Sequence, residues 1–350
     1  MDPPIYIPPW FLQNGWVMTL YMGLWSVRVW DAHLQDPTPP YTEVVFHGAD
    51  DVPLFGWLVV PPQARATIIG TYGITGTLEN QWFLQILGRK AYARGYAVVL
   101  FDWRAHGKTA QLSPTLTSDG LYEGADFVRI AEQALQQGCP SPFWLAGYSL
   151  GGQLALWGVQ AAQTMDVEIA QAIAGAAVIC PNLDANRSLT YLVQHPLGRY
   201  LEQAIARQLK ALAWNIYQAH PGALERAAIE RANSIQGFDH ELVIGPLGFA
   251  SVHAYYEASC PLAFLPQIQR PTLILYAQDD PLFDPTIVLD LKDLCSHNPN
   301  LTLWLTAQGG HVGYIAGAKN RQAYADRDPW WAWNRILAWW DALGPNLVEI

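Results

Sequence analysis

The residues best equipped for chemistry are Gly147-Tyr148-Ser149-Leu150-Gly151-Gly152. They stand at the end of an apolar, strand-like run and open a helical one. A serine with glycine two residues away on either side suits a turn so tight that only small neighbours let it close. Such a turn lifts the hydroxyl clear of the backbone and points a helix N-terminus at the group under attack. A serine hydroxyl is a weak nucleophile at neutral pH, so this chemistry also needs a histidine base and a carboxylate that orients it.

Both partners stand downstream, in the chain order serine, acid, histidine that goes with this turn. Asp279-Asp280-Pro281 comes after the apolar run Thr272 to Ala277, and Gly309-Gly310-His311-Val312-Gly313 comes after Leu301 to Thr306. Of the nine histidines, only His311 lies in a glycine-lined loop after a late strand. Asp279 and Asp280 are both candidates for the acid. The position directly before the turn-opening Pro281 favours Asp280, which leaves Asp279 to bind loop amides. Asp284 is expected to cap the next helix, with Pro285 in its first turn.

A tetrahedral intermediate would need backbone donors for its oxyanion. Leu150, just after the serine, supplies one. Ile74 supplies the other, in the loop Tyr72-Gly73-Ile74-Thr75-Gly76, where glycines let the backbone approach a substrate. A further loop, Asp102-Trp103-Arg104-Ala105-His106-Gly107, is expected to be structural, with Asp102 and Arg104 paired and His106 a minor alternative base.

These loops need elements to hold them. Short β-branched runs alternate with longer helical patterns. Tyr41 to His47 and Leu54 to Val60 read as an antiparallel edge pair. Ala66 to Thr71, Ala97 to Asp102, Pro142 to Tyr148 and Ala172 to Cys180 read as buried strands, with helices near 80–94, 121–137 and 150–164 between them. From Pro181 to Gln269 the rhythm stops. Helical patterns such as Arg199 to Tyr217 and Pro221 to Asn233 appear without a strand. Two further strand-helix units, Thr272 to Ala277 with 285–296 and Leu301 to Thr306 with 329–343, close the sheet.

Composition narrows the partners. With 350 residues, 51% hydrophobic and 14% charged, the chain buries a large core. A formal charge of −10 leaves no basic surface for nucleic acid. Four scattered cysteines without a CxxC pair suggest a reducing, cytoplasmic setting. No clustered ligand set or phosphate-binding motif appears, so neither metal nor cofactor is expected. Residues 3–27 are uncharged and aromatic, yet the apolar stretch from Gly15 to Val27 covers only 13 residues, short of the ~18 that cross a bilayer. This segment is expected to pack on the body, with peripheral contact at a membrane interface as the alternative.

The constellation resembles the α/β-hydrolase fold and, more narrowly, the EMB8, YheT and ABHD1/ABHD3-like esterase family. The narrower resemblance rests on Ile7-Pro8-Pro9-Trp10-Phe11-Leu12-Gln13-Asn14-Gly15, Phe238-Asp239, Gly248-Phe249, Tyr255-Tyr256, the Asp-Asp-Pro turn and the Gly-Gly-His-x-Gly loop. It implies a mostly parallel sheet flanked by helices, with an inserted helical cap. The chain then divides into an N-terminal aromatic and proline segment (1–40), a first core part (41–180), the cap (181–269) and a second core part (270–350). The family's usual Pro-Gly-Leu-Thr-Gly or His-Gly before the oxyanion donor is replaced here by Tyr72-Gly73-Ile74-Thr75-Gly76, and no His-x4-Asp acyltransferase signature is present.

Hydrolysis of small-molecule or lipid esters through an acyl-enzyme is therefore expected. Thioesterase, amidase or acyltransferase chemistry on the same residues, or a non-catalytic binding protein of this fold, are the alternatives. The pocket is expected beneath the cap, near Leu192, Val193, Leu197, Tyr200 and Leu201 at its start and Phe249, Tyr255 and Tyr256 at its end.

Overall fold

A computed structural model describes residues 3–344; positions 1–2 and 345–350, at the outer ends of the first and last expected segments, lie outside the described residues. Eight strands form one sheet: β1 Thr42–His47, β2 Pro53–Val59, β3 Thr67–Thr71, β4 Ala97–Phe101, β5 Phe143–Tyr148, β6 Ile173–Ile179, β7 Thr272–Ala277 and β8 Leu301–Thr306. Their spatial order is β1-β2-β4-β3-β5-β6-β7-β8. β2 runs antiparallel to both its neighbours, and every other pair is parallel. This is the α/β-hydrolase architecture expected from the sequence.

The inner strands are continuous apolar runs because helices cover both faces. All five residues of β4, Ala97-Val98-Val99-Leu100-Phe101, are buried, as are all six of β5. The strands Thr272–Ala277 and Leu301–Thr306 match their expected bounds; β2 and β6 differ by one residue at both ends, and the others by one residue at one end. On one face, the helix Trp331–Leu343 buries Trp331, Trp333, Trp339 and Trp340. Trp333 packs against Phe83 and Tyr148 and donates its indole N–H to the Phe83 carbonyl at 2.8 Å.

Between β6 and β7 the chain forms helices without a strand, including Ala185–Leu192, Pro196–Ala219 and Val252–Ala258. They hold a second, smaller core built on Leu209, Ala213, Ile229, Phe238, Val243 and Tyr255. The helical stretch expected from Pro221 to Asn233 shrinks to Arg226–Arg231, because Gly222 takes a left-handed turn at φ 88° after the long helix ends.

Two local expectations are corrected. Arg104 does not pair with Asp102. Its guanidinium makes two 2.8 Å bonds to the buried carboxylate of Asp126 on the helix Glu123–Gln136. Asp102 instead accepts from the Leu78 and Lys108 amides, each at 2.9 Å, and from the Tyr72 hydroxyl. It thereby ties the loop after β4 to the loop after β3. Asp284 is not the cap of the next helix either. It accepts from the Thr286 amide at 2.8 Å in a turn of its own, and the helix starts at Ile287.

The N-terminal segment packs on the body. Tyr6 rests against Tyr314 and Trp331, and its hydroxyl donates to the Ile315 carbonyl at 2.9 Å. Among the described residues, no helix is long and apolar enough to cross a membrane.

Candidate active site

Ser149 occupies the corner where β5 ends and the helix Leu150–Thr164 begins, at φ 54° and ψ −129°. A non-glycine residue at such angles carries strain on the order of 1–3 kcal/mol and persists only where its surroundings enforce it. Here the enforcement is steric. A Cβ on Gly147 would lie 2.1 Å from the Gly151 carbonyl oxygen, and one on Gly151 would lie 2.2 Å from that of Tyr72. Two hydrogen bonds pin the corner to β6 and to the segment beyond it: Ser149 N donates to the Ile179 carbonyl at 3.0 Å, and Asn182 N donates to the Ser149 carbonyl at 3.2 Å.

From this corner a hydrogen-bonded chain runs outward. Ser149 Oγ lies 2.9 Å from His311 Nε2, and His311 Nδ1 lies 2.8 Å from Asp280 Oδ2. Because a carboxylate only accepts, Nδ1 carries the proton and Nε2 is free to accept from the serine. Asp279, the other candidate, does not touch the imidazole. Its Oδ1 accepts from the Gly310 amide at 2.9 Å, bracing the loop that carries His311. Phe283 packs edge-on against the imidazole, with ring centres 4.9 Å apart.

The two amides singled out for an oxyanion flank the serine. Leu150 is the first residue of the helix, and Ile74 comes directly after Gly73, where a Cβ would meet Ser149 Cβ at 3.0 Å. Among the described residues neither amide is spent on a backbone partner. His106 stands apart from the chain. Its ring stacks on Trp103 and it is fully buried, which lowers its pKa to about 4.

A pocket opens beside Ser149 and Leu150, roofed by Leu189, Leu192, Ile205, Leu209, Leu212 and Phe238 of the helical insert. Of the apolar residues expected there, Leu192 and Tyr256 line it. Val193, Leu197 and Tyr200 face solvent instead, on the outer side of their helices, and Phe249 packs on Tyr255. The lining is not wholly apolar. Asp119 and Asp239 reach it, and Asp239 accepts from the Tyr256 hydroxyl. Burial, then repulsion from Glu123, pushes Asp119 up to about 7; burial, then repulsion from Asp119, raises Asp239 as well. Among the described residues no cluster of three or more His, Cys, Asp or Glu could hold a metal ion.

Comparison with known proteins adds to this geometry. The family described as alpha/beta hydrolase fold matches residues 67–318. The chain belongs to the α/β-hydrolase family. Over 97% of its length and 95% of the other's, it is 52% identical to "Putative esterase slr0264" of Synechocystis sp.. It is 27% identical to phospholipase ABHD3 of Mus musculus across 77% of this chain and 63% of that one. A solved structure of the Pyrococcus furiosus esterase Pf2001 superimposes with a TM-score of 0.52 at 18% identity, covering 85% of this chain and 90% of that one. These relatives bear out the esterase family that the sequence resembles, and this hydrolase is esterase-like.

One positioning residue of the hydrolase was not foreseen. The N-terminal helix Gly15–Tyr21 lies against the loops of Asp279 and His311. Thr19 Oγ1 accepts from the His311 amide at 2.8 Å and donates to the Gly15 carbonyl at 2.7 Å. A Cβ on Gly15 would fall 1.8 Å from the Asp279 carbonyl oxygen. Gly15 is thus a steric requirement of the acid loop, Asn14 before it caps the helix by accepting from the Val17 amide, and that pair was the only signal in the sequence.

Two measurable outcomes are expected. Thr19→Val keeps shape but leaves the His311 amide unpartnered, so kcat/KM for an ester should fall about tenfold while the melting temperature changes little, since small misplacements of reacting groups are costly. An unchanged kcat/KM would remove Thr19 from the positioning set. Asp119 binds its proton more tightly folded than unfolded, so its contribution to stability is complete below pH ~4 and is lost as pH rises through about 7. Asp119→Asn should therefore gain on wild type by roughly 2–4 °C in melting temperature between pH 5 and pH 8. A difference independent of pH would show that this carboxyl is not held protonated.

Proposed function

We propose that this chain is a serine hydrolase that cleaves carboxylic esters of apolar or lipid-like acyl groups through an acyl-enzyme. The observation that carries the reading is the unbroken hydrogen-bonded chain from Asp280 through His311 to Ser149, which ends in a leucine-rich pocket. Ser149 Oγ attacks the ester carbonyl carbon while His311 Nε2 takes its proton. Asp280 holds Nδ1–H and stabilises the imidazolium. The oxyanion faces the Ile74 and Leu150 amides, aided by the N-terminus of the helix that starts at Leu150. Collapse expels the alcohol, which leaves with the proton from His311. Water then attacks the acyl-enzyme with His311 again as base, releasing the acid and restoring Ser149. The reaction requires no cofactor.

Acyl preference is assigned to the roof. Each methylene buried against it contributes about 0.8 kcal/mol, so kcat/KM should rise from acetyl toward medium-chain esters until the pocket ends. Ser149→Ala and His311→Ala should each remove at least about three orders of magnitude of activity without unfolding the chain. Ester turnover that survives either substitution would defeat the mechanism, and a steady fall in kcat/KM from acetyl to dodecanoyl would defeat the acyl assignment.

The N-terminal segment is proposed to contact a membrane interface from the cytoplasmic side. Support comes from Trp10, Leu24 and Trp25, which are more than half exposed in a stretch without a charge from residue 3 to 27, the composition of an interfacial anchor. Wild type should float with phosphatidylcholine vesicles, and the double substitution Trp10→Ser, Trp25→Ser should reduce the floated fraction several-fold. Wild type that stays wholly with the unfloated fraction at every lipid concentration would refute the contact.

A further inference from the structure

His106 is a buried histidine that the hydrolytic chain does not use, yet its hydrogen bonds are specific. Its Nδ1 lies 2.9 Å from the Arg104 carbonyl oxygen. A carbonyl only accepts, so Nδ1 carries the proton and Nε2 presents a bare lone pair. That lone pair accepts from the Thr75 amide at 3.1 Å. The ring is clamped face to face on Trp103, with centres 3.6 Å apart and planes 22° from parallel.

The residue it holds is under strain. Thr75 is β-branched and sits at φ 65°, a conformation such side chains rarely adopt. Three of its groups are tied: the amide to His106, the carbonyl to Gln81 Nε2 at 3.0 Å, and the hydroxyl to Gln208 Oε1 at 2.5 Å. The residue before it is Ile74, and the Ile74–Thr75 peptide plane is the one that His106 fixes. The Ile74 N–H lies in the preceding peptide plane, joined to this one at the Ile74 Cα. With the Ile74–Thr75 plane fixed by His106 on one side and Gly73 held against Ser149 on the other, that N–H has little room to turn.

We infer that His106 is a positioning residue for the oxyanion site, its neutral imidazole acting as the acceptor that locks Thr75 and so aims the Ile74 amide. The inference rests on the esterase reading, in which the Ile74 amide receives the oxyanion. Burial suits the imidazole to this task, because it keeps the ring neutral at physiological pH. A protonated ring would turn an N–H against the Thr75 N–H, donor facing donor. His106 moves no proton in the reaction and acts only through Thr75.

The test compares His106→Phe, which keeps a flat ring for Trp103 but offers no acceptor, with His106→Gln, whose amide oxygen can still accept. Active sites are first titrated to completion with a fluorophosphonate. Turnover of a butyrate ester is then expressed per titrated site. His106→Phe should lose about tenfold to a hundredfold in kcat with KM within about twofold, because oxyanion stabilisation acts only in the transition state. Its affinity for an alkyl boronic acid, which becomes tetrahedral on the serine, should fall by a similar factor. Binding of decanoic acid, a ground-state ligand of the pocket that the His106 ring also lines, should change by no more than about twofold, well short of the loss in kcat. His106→Gln should recover kcat to within about threefold of wild type.

A purely structural role would lower the melting temperature and leave boronate affinity per titrated site untouched, and that result would overturn the inference. So would a folded His106→Gln whose kcat falls a hundredfold; that outcome also decides the matter if the Phe variant does not fold. Wild type that fails to react with the fluorophosphonate would instead refute the esterase reading itself. Normal labelling with full turnover in His106→Phe would refute only the role of His106.

Discussion

The corner at Ser149 is the constraint on which the rest of the site depends. A strand cannot pass directly into a helix with a side chain held above the sheet unless the residue at the junction takes backbone angles that cost energy. Ser149 does so at φ 54°, and the cost is borne by neighbours that lack a Cβ. Gly147 and Gly151 approach each other's backbone and that of Tyr72 so closely that any side chain would collide. The same close approach brings Gly73 against Ser149, which sets the distance from the oxygen to the Ile74 amide. Nucleophile position, helix N-terminus and oxyanion donor are therefore consequences of one turn.

What the turn cannot supply is the imidazole, which arrives on the loop after β8. That loop takes positive φ at Gly309, Gly310, Val312 and Tyr314, and it has little regular structure to hold it. The N-terminal segment provides the brace. Thr19 takes the His311 amide, Gly15 lies against Asp279, and Gln308 Nε2 donates to the Gln13 carbonyl at 2.8 Å. Residues far apart in sequence thus share one task. The aromatic N-terminus is part of the apparatus that sets the serine–histidine distance, even though none of its side chains belongs to the hydrogen-bonded chain.

The range of each interaction decides how much of this was legible in sequence. The sheet was readable because β-branched apolar runs and helical periodicity are local. The Ser149 turn was readable because the small residues it demands fall within six consecutive positions, even though Gly151 answers to the backbone of the distant Tyr72. Asp280 and His311 could be named because each lies in a turn whose composition is itself a signal. The partner of Arg104 could not be read, since Asp126 is a surface-like aspartate in an amphipathic helix until the fold brings it beneath the guanidinium. Thr19 failed for the same reason: its role is a single bond across 292 residues. The pocket lining was misassigned where helix phase decides. Leu192 turns inward and Val193, one residue on, turns outward, and a cluster of apolar letters does not encode that phase without knowing which side the sheet lies on.

The acidic residues of the pocket pose an electrostatic problem for the reaction. An oxyanion forming at Ser149 would be opposed by two carboxylates in the same low-dielectric space, where like charges repel strongly. Asp119 and Asp239 avoid this by burial. Each is desolvated, each is near another acid, and both effects favour the protonated form. Near neutral pH the pair therefore carries less than its formal charge and presents hydrogen-bonding groups in place of anions. Asp280 is the contrasting case. It is equally enclosed, but His311 donates to one oxygen and the Leu282 amide to the other at 2.9 Å, so both of its oxygens have donors. The site thus sets its hydrogen-bonded acid behind the imidazole, where a developing imidazolium benefits from it, and keeps the acids that line the pocket short of full charge.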